Sequence, residues 1–453
     1  MSSPSRAVSL LLFAGAVAAT CSPPPNEPAH PARPANADPE AGTPLDSSAD
    51  VGAAGSGDAS VDAAEGSPAE PVVPASLADS VNAFARDLHR ELSAKEKGNL
   101  IYSPLSISVA LTMTYAGARG ETAEEMAKVL HLGRDATETH AGYAKLIQKL
   151  GSEPLRGAPE VRLANRLWPQ KGMELVPEFA EVTRLHYRAP LEQLDFQSQP
   201  EASRQRINSW VEHETKERIA ELLPKGSIHE EVRLVLTNAV YFHGRWATPF
   251  AEAATRDERF FVNGVTPRSL PTMRGTVEAR YAALADAQVV ELPYARGNGP
   301  ELAMVIVLPK TRNGLPDLEK RFGREGVGAY VPELRPTRVS LWLPRFTATV
   351  RFKLKSPLEK LGMLLAFTTS ADFSGITRRP PTLYIEDVYH KAFVETSEKG
   401  TEASAGTAVV MRTIVSDSPP PPEVKVDHPF LFFIHDRRSG AVLFAGRIVA
   451  PGG

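Results

Sequence analysis

The chain of 453 residues has a single cysteine, Cys21. A lone thiol makes no internal disulfide, and its place near the start removes cysteine nucleophiles and thiolate metal sites from everything that follows. Other catalytic signatures are missing too. No Gly-x-Ser-x-Gly occurs, so a serine-hydrolase nucleophile elbow is absent. His213-Glu214 and His229-Glu230 each lack a histidine four residues after the first, so neither is a zinc-protease helix. There is no glycine-rich phosphate loop, and the eleven histidines are scattered. Lysine and arginine number 51 against 54 acidic residues, without a basic cluster, which leaves nucleic acid and other polyanions no footprint. The expectation is a protein that is not an enzyme and needs neither cofactor nor metal.

Long apolar runs are also scarce. Ala7–Ala19 is apolar, follows Arg6, and is too short to span a bilayer. Residues 1–20 read as an export signal. Ala18-Ala19-Thr20-Cys21 resembles a bacterial lipoprotein signal, with Ala18 where Leu is more usual and Thr20 where Gly or Ala is. Cys21 would carry the lipid; plain secretion after cleavage at a nearby alanine is the alternative. Ser22 rather than Asp after the cysteine points to the outer membrane. Residues 21–74 are rich in Pro, Ala, Gly, Ser and acid, and nearly without large apolar side chains. Such a stretch buries too little surface to offset its ordering entropy, so it reads as a disordered tether. The expected location is the cell surface through a lipid anchor, the only membrane attachment foreseen, or otherwise the extracellular medium.

Residues 75–453 have globular composition. Helical spacing runs from Leu77 to Leu92. Ser103-Pro104 starts a second helix, apolar almost all round to Leu111 and therefore buried. Gly117 and Gly120 end it, and Thr122 with Glu125 reads as a capping box for the next. Val161–Trp168 reads as a strand and Ile207–Leu223 as a helix. Val232–Phe242 is a nearly continuous apolar strand, as in a sheet covered on both faces. Val289–Tyr294 and Leu302–Pro309 form a hairpin, Val339–Phe346 a strand, and Leu354–Leu361 a short helix. The fold class is mixed α/β (α+β), with a large central antiparallel sheet and helices around it.

One segment stands apart. From Glu398-Lys399-Gly400 through Ile414-Val415 the side chains are mostly small. With period two, Thr401, Ala403, Ala405, Thr407, Val409 and Met411 share one uncharged face. Glu402, Ser404, Ala408, Val410 and Arg412 share the other, with Gly406 between them. No proline blocks its backbone donors. The segment suits a linker, a permanent strand, or an element that passes from one state to the other.

Its flanks favour the last. Upstream lies Asp387-Val388-Tyr389-His390-Lys391-Ala392-Phe393-Val394-Glu395. Downstream lie Asp427-His428-Pro429-Phe430-Leu431-Phe432-Phe433-Ile434 and Leu443-Phe444-Ala445-Gly446-Arg447. With Asn99–Leu130 and His243–Phe250, these runs resemble the serpin family, and the resemblance covers Leu77 to Pro451. It implies a monomeric suicide substrate with an exposed reactive-centre loop. A serine protease, or for some members a cysteine protease, cuts the loop; the loop then enters the central sheet and traps the acyl-enzyme. The hinge would be Glu398, Gly400, Thr401, Glu402, Ala403, Ser404, Ala405, Gly406 and Thr407. His390 with Ser103, Ser106 and Asn238 would form the shutter beneath the sheet, and Trp246 would mark the breach at its top. The small, uncharged inward hinge positions fit an inhibitor better than the alternative, a non-inhibitory binding or chaperone-like module.

The family's usual spacing of seventeen from Glu398 puts the cut between Ile414 and Val415. That bond suits elastase-like or subtilisin-like proteases. Arg412 would suit a trypsin-like enzyme, and Thr413 is a third candidate. Pro419–Pro422 would absorb the slightly long arm to Phe430.

Overall fold

The computed structural model describes residues 75–151, 159–297, 299–378, 383–401 and 419–452. Helices α1 (Ala75–Lys95), α2 (Pro104–Tyr115), α3 (Gly120–Val129) and α4 (Ala136–Leu150) open the described chain, with the short strand β1 (Leu100–Tyr102) after α1. Strand β2 (Glu160–Pro169), helices α5 (Pro177–Tyr187) and α6 (Pro200–Glu214), and strand β3 (Leu234–Arg245) follow. Then come β4 (Arg256–Val262), β5 (Thr266–Ala283), β6 (Ala287–Pro293), β7 (Leu302–Pro309) and α7 (Leu315–Glu325). The rest is β8 (Arg335–Pro344), β9 (Phe346–Lys353), α8 (Lys355–Leu361), β10 (Val388–Thr396), β11 (Gly400–Thr401), β12 (Glu423–Lys425), β13 (Phe430–Asp436) and β14 (Val442–Ile448).

Two sheets result. One runs β1-β14-β13-β7-β6-β5-β8-β12, with β4 on β5. The other runs β11-β3-β10-β9, with β2 on β3. The helix-plus-sheet class matches the sequence reading, and the hairpin of β6 and β7 pairs antiparallel as expected. Most neighbouring strands pair antiparallel, as expected of the large sheet, but β12 on β8 and β3 beside β10 are parallel pairs. β3 and β10 lie parallel, Val388 opposite Leu236 through Phe393 opposite Tyr241. About 140 residues separate these strands, so a long crossover could bring them in side by side and pointing the same way. Hydrophobic periodicity carries no information on that choice.

α2 explains its own sequence. Ser103 accepts the Ser106 amide at 3.1 Å, Pro104 occupies the first turn, and every residue from Pro104 to Thr114 is buried. The helix lies under β2 and β3, where an apolar stripe on one side alone would not suffice. On the opposite face of the sheet a smaller core of Trp168, Phe196, Ile207, Val211 and Tyr241 joins α6 to β2 and β3.

Two local expectations fail for identifiable reasons. α3 starts at Gly120 after Arg119, and no side chain caps it. Thr122 instead accepts the Asp372 amide at 2.9 Å, and Glu125 accepts the amides of Leu364 and Leu365 at 2.7 Å. The capping-box residues close a neighbouring segment, which local spacing does not reveal. The helix expected over Ile207–Leu223 stops at Glu214. Lys216 and Glu217 take positive φ, and the Thr215 hydroxyl accepts the Ile219 amide. Asn208 bonds both backbone groups of Leu223, so Ile219, Leu222 and Leu223 reach the core from a turn instead of a helix face.

Candidate functional site

β3 and β10 pair over only part of their length. The ladder ends at Phe393 and Tyr241, while β3 continues to Arg245 and β10 to Thr396. The strands part at the top, and β11 enters the opening. Gly400 stands opposite Arg245 and Thr401 opposite Gly244, antiparallel. The reversal takes four residues. The Ser397 amide donates to the Gly400 carbonyl at 2.7 Å, and the Gly400 amide returns to Ser397 at 3.1 Å. Glu398 and Lys399 form the bend. Gly400 has φ +138°, and a Cβ there would lie 2.0 Å from the Gly244 carbonyl oxygen. Only glycine fits this approach of two backbones.

Side chains and backbone clamp the bend. The Trp246 amide donates to the Lys399 carbonyl and its indole to the Ser397 carbonyl, both at 2.9 Å. Its ring stacks on Tyr294 with centroids 4.7 Å apart. The Phe250 amide donates to Glu398. Glu398 is buried, and its carboxylate accepts the Arg345 guanidinium at 2.8 Å and the Thr255 hydroxyl. Burial opposes its ionisation, but the bonds from Arg345 and Thr255 outweigh that and hold its carboxyl below the usual range. Lys399 pairs with Glu252 at 3.0 Å.

Lower down, a polar cluster ties the sheet to α2. Ser103, Ser106, Asn165, Asn238 and His390 are all buried. His390 Nε2 accepts the Ser103 amide at 3.1 Å. An amide nitrogen can only donate, so Nε2 carries no proton and Nδ1–H donates to Asn238 Oδ1. Burial pushes the His390 pKa down to about 3, so the ring is neutral at physiological pH. The Asn238 amide donates to the Ser106 carbonyl at 2.7 Å, and to the Ser106 hydroxyl and Asn165 Oδ1 at 2.8 Å. Facing residues of β3 and β10 are thus bonded to each other and to the helix start below them.

Ser103, Ser106, Asn238 and His390 therefore meet in one cluster, and Trp246, eight residues beyond Asn238 in the chain, bonds to Ser397 and Lys399 of the bend. Residues that sequence reasoning missed complete both sites: Asn165 in the cluster, and Arg345, Thr255 and Tyr294 around the bend. Arg345 follows the strand-ending Pro344, and a lone charge there was the available signal. Glu402, Ala403, Ser404, Ala405, Gly406, Thr407, Arg412, Thr413, Ile414 and Val415 lie outside the described residues, as do Cys21, the export signal and the tether.

Known proteins resemble this chain in sequence and fold. The family profile "Serpin (serine protease inhibitor)" matches residues 79–451. Serpin B3 of Homo sapiens is 36% identical over 397 residues, covering 83% of this chain and 100% of its own. The leukocyte elastase inhibitor of Xenopus tropicalis is 36% identical over 385 residues, covering 83% and 99%. A serpin-like protein of Thermococcus kodakarensis is 38% identical over 378 residues, covering 83% and 86%. Among solved structures, Serpin48 of Tenebrio molitor matches with a TM-score of 0.74 at 30% identity, covering 83% of this chain and 98% of its own. Uncleaved ovalbumin matches with a TM-score of 0.74 at 28% identity, covering 83% and 100%. The fold and these matches agree: the chain belongs to the serpin family.

Proposed function

We propose that this protein inhibits serine proteases as a suicide substrate, by drawing its cut loop between β3 and β10. The observation that carries the reading is the start already made at Gly400 and Thr401. Continuing that register puts Ala403 opposite Phe242, Ala405 opposite Val240, Thr407 opposite Asn238 and Val409 opposite Leu236. The bend fixes the other side, since Ser397 faces Gly400. There Ala403 meets Val394, Ala405 meets Ala392, and Thr407 meets His390. Phe242, Val240 and Leu236 point into the main core. Paired residues share a face, so the uncharged side of the segment would turn inward and Glu402 and Arg412 outward.

β3 provides twelve positions, Leu234–Arg245, the last of them taken by Met411. A ladder of that length, at about 1 kcal/mol per hydrogen bond with added apolar burial, is worth on the order of 10 kcal/mol. Loss of one oxyanion donor slows deacylation about 10²–10³-fold, or about 3–4 kcal/mol. Insertion therefore exceeds what is needed to stop a protease at the acyl-enzyme. The target reads as elastase-like or subtilisin-like if Ile414–Val415 is cut, and trypsin-like if Arg412 precedes the cut. The lipoprotein-like start supports action outside the cytoplasm; incorporation of labelled palmitate, lost in Cys21→Ala, tests the anchor.

The decisive experiment incubates the protein with pancreatic elastase, subtilisin and trypsin, followed by denaturing gel and mass spectrometry of the released peptide. A covalent complex and a peptide beginning at Val415 are expected. A peptide beginning at Thr413 would reassign the cut to Arg412. Clean cleavage, with no complex and no rise in melting temperature of the cut form, would refute inhibition and leave a binding module.

A further inference from the structure

A cavity of about 820 Å³ opens where the last turns of α1 meet α7, close to Pro429 before β13 and Val449 after β14. Its size lies within the range of roughly 300–1,000 Å³ typical of small-molecule sites. It shares no lining residue with β3, β10 or the bend at Glu398.

Its lining divides by chemistry. Leu315, Pro429 and Val449, all buried, give it an apolar floor, with Ala94 and Pro316 exposed at its mouth. Around them stand Arg90, Lys97, Arg312, Lys320 and Arg324. The one lining carboxylate, Glu319, is already engaged: it pairs with Arg447 at 2.7 Å and lies 3.4 Å from the buried His89. Arg447 directs its other donors to the carbonyls of Gly98 and Glu96, so it is part of the wall. Arg90, Lys320 and Arg324 have carboxylate neighbours in Asp87, Asp317 and Glu325. Lys97 and Arg312 form no ion pair among the described residues. Arg312 is held over the Phe261 ring, and Lys97 donates to the Ala94 carbonyl at 3.1 Å.

Two cations with no ion pair among the described residues thus border an apolar floor. An inorganic anion would leave that floor wet, and a neutral lipid would leave both cations unmatched. We propose that the cavity binds an amphipathic organic anion, a long-chain monocarboxylate, with its carboxylate at Lys97 and Arg312 and its chain along Pro316, Pro429 and Val449. A charge-assisted bond at the rim fixes orientation, and apolar burial supplies affinity.

The test titrates the full-length protein with cis-parinaric acid, a fluorescent eighteen-carbon carboxylate, at low ionic strength. Its methyl ester, inorganic phosphate and hexaglutamate serve as competitors. Saturable one-to-one binding is expected, with the ester weaker by about tenfold or more, since the ester loses a charge-assisted pair. Lys97→Glu with Arg312→Glu should weaken the acid by at least a similar factor, and Ala94→Trp, which blocks the mouth, should abolish binding. All three positions are exposed, and unchanged melting temperatures verify that the variants fold. Absence of saturable binding, equal affinity for acid and ester, or indifference to the charge reversal would overturn the assignment. Displacement by phosphate at equal concentration, or tighter binding of hexaglutamate, would overturn it as well, by showing a site for anions without an apolar body.

Discussion

His390 makes the shutter cluster sensitive to acid, and the size of the effect follows from its geometry. The unfolded chain takes a proton on this ring near pH 6.5, whereas the folded ring resists protonation down to about 3. Below pH 6.5 the unfolded state therefore binds more protons, and native stability falls as pH falls, by about 1.4 kcal/mol per unit. Between pH 7.5 and pH 5 the loss from this group is about 2 kcal/mol. A protonated ring would also lose its acceptor for the Ser103 amide, so the helix start and β10 would separate. The comparison protein is His390→Gln, which stays neutral throughout. His140, pushed down to about 4, and His89, lowered by burial, contribute the same acid slope to both proteins and cancel in the difference. Urea unfolding of the uncut proteins, followed by tryptophan fluorescence at pH 7.5 and 5, should show the stability gap narrowing by about 2 kcal/mol in acid. A gap that stays constant would mean that the ring takes up its proton equally in the folded and unfolded chain, and the hydrogen-bond assignment would be wrong.

Further outcomes follow from the same sites. Asn238→Ala strands His390 Nδ1 in a dry interior, while Asn165 and Ser106 keep their bonds to each other; thermal unfolding should register a loss of about 2–3 kcal/mol, and a loss below about 1 would show that water replaces the side chain. Glu398→Gln removes the charge facing Arg345, whose side chain is 45% exposed, so the expected cost is only about 1 kcal/mol and a few degrees in melting temperature. The lowered carboxyl of Glu398 keeps that contribution at neutral pH and loses it as pH falls through the folded-state value, so wild type and variant should converge in strong acid. Thr407→Arg would bring an unpaired charge against Asn238 and His390 during insertion; the loop should still be cut, but the inhibitor consumed per protease trapped should rise about tenfold, and unchanged stoichiometry would refute the register.

Much of this was legible before the fold was known. α2 announced its depth through apolar residues on every side and its start through Ser103-Pro104. The uncharged face expected of Thr401–Met411 from period two lies, beyond Thr401, outside the described residues. Other parts could not be read. The parallel pairing of β3 with β10 depends on a crossover whose path leaves no mark on either strand. Asn165 is a single polar residue in an apolar strand, and nothing local says that Ser106 and Asn238 lie against it. Thr122 and Glu125 satisfied a local rule yet serve Asp372 and Leu364, because a distant backbone offered better-placed donors.

The parallel ladder has a consequence for direction in time. An incoming strand that runs opposite to both neighbours replaces one ladder of six paired positions by two longer ones, and each new pairing is of the better-aligned antiparallel kind. Each step downward from Gly400 would add bonds on both sides, first in the open part and then, below Tyr241 and Phe393, in exchange for one existing pairing, so each position gained would make retreat costlier. Under the proposed function, the gap between β3 and β10 would work as a ratchet. Such a protein would be used once, and its lifetime before use would be set by the few bonds of His390 and Asn238 that stand in the slot.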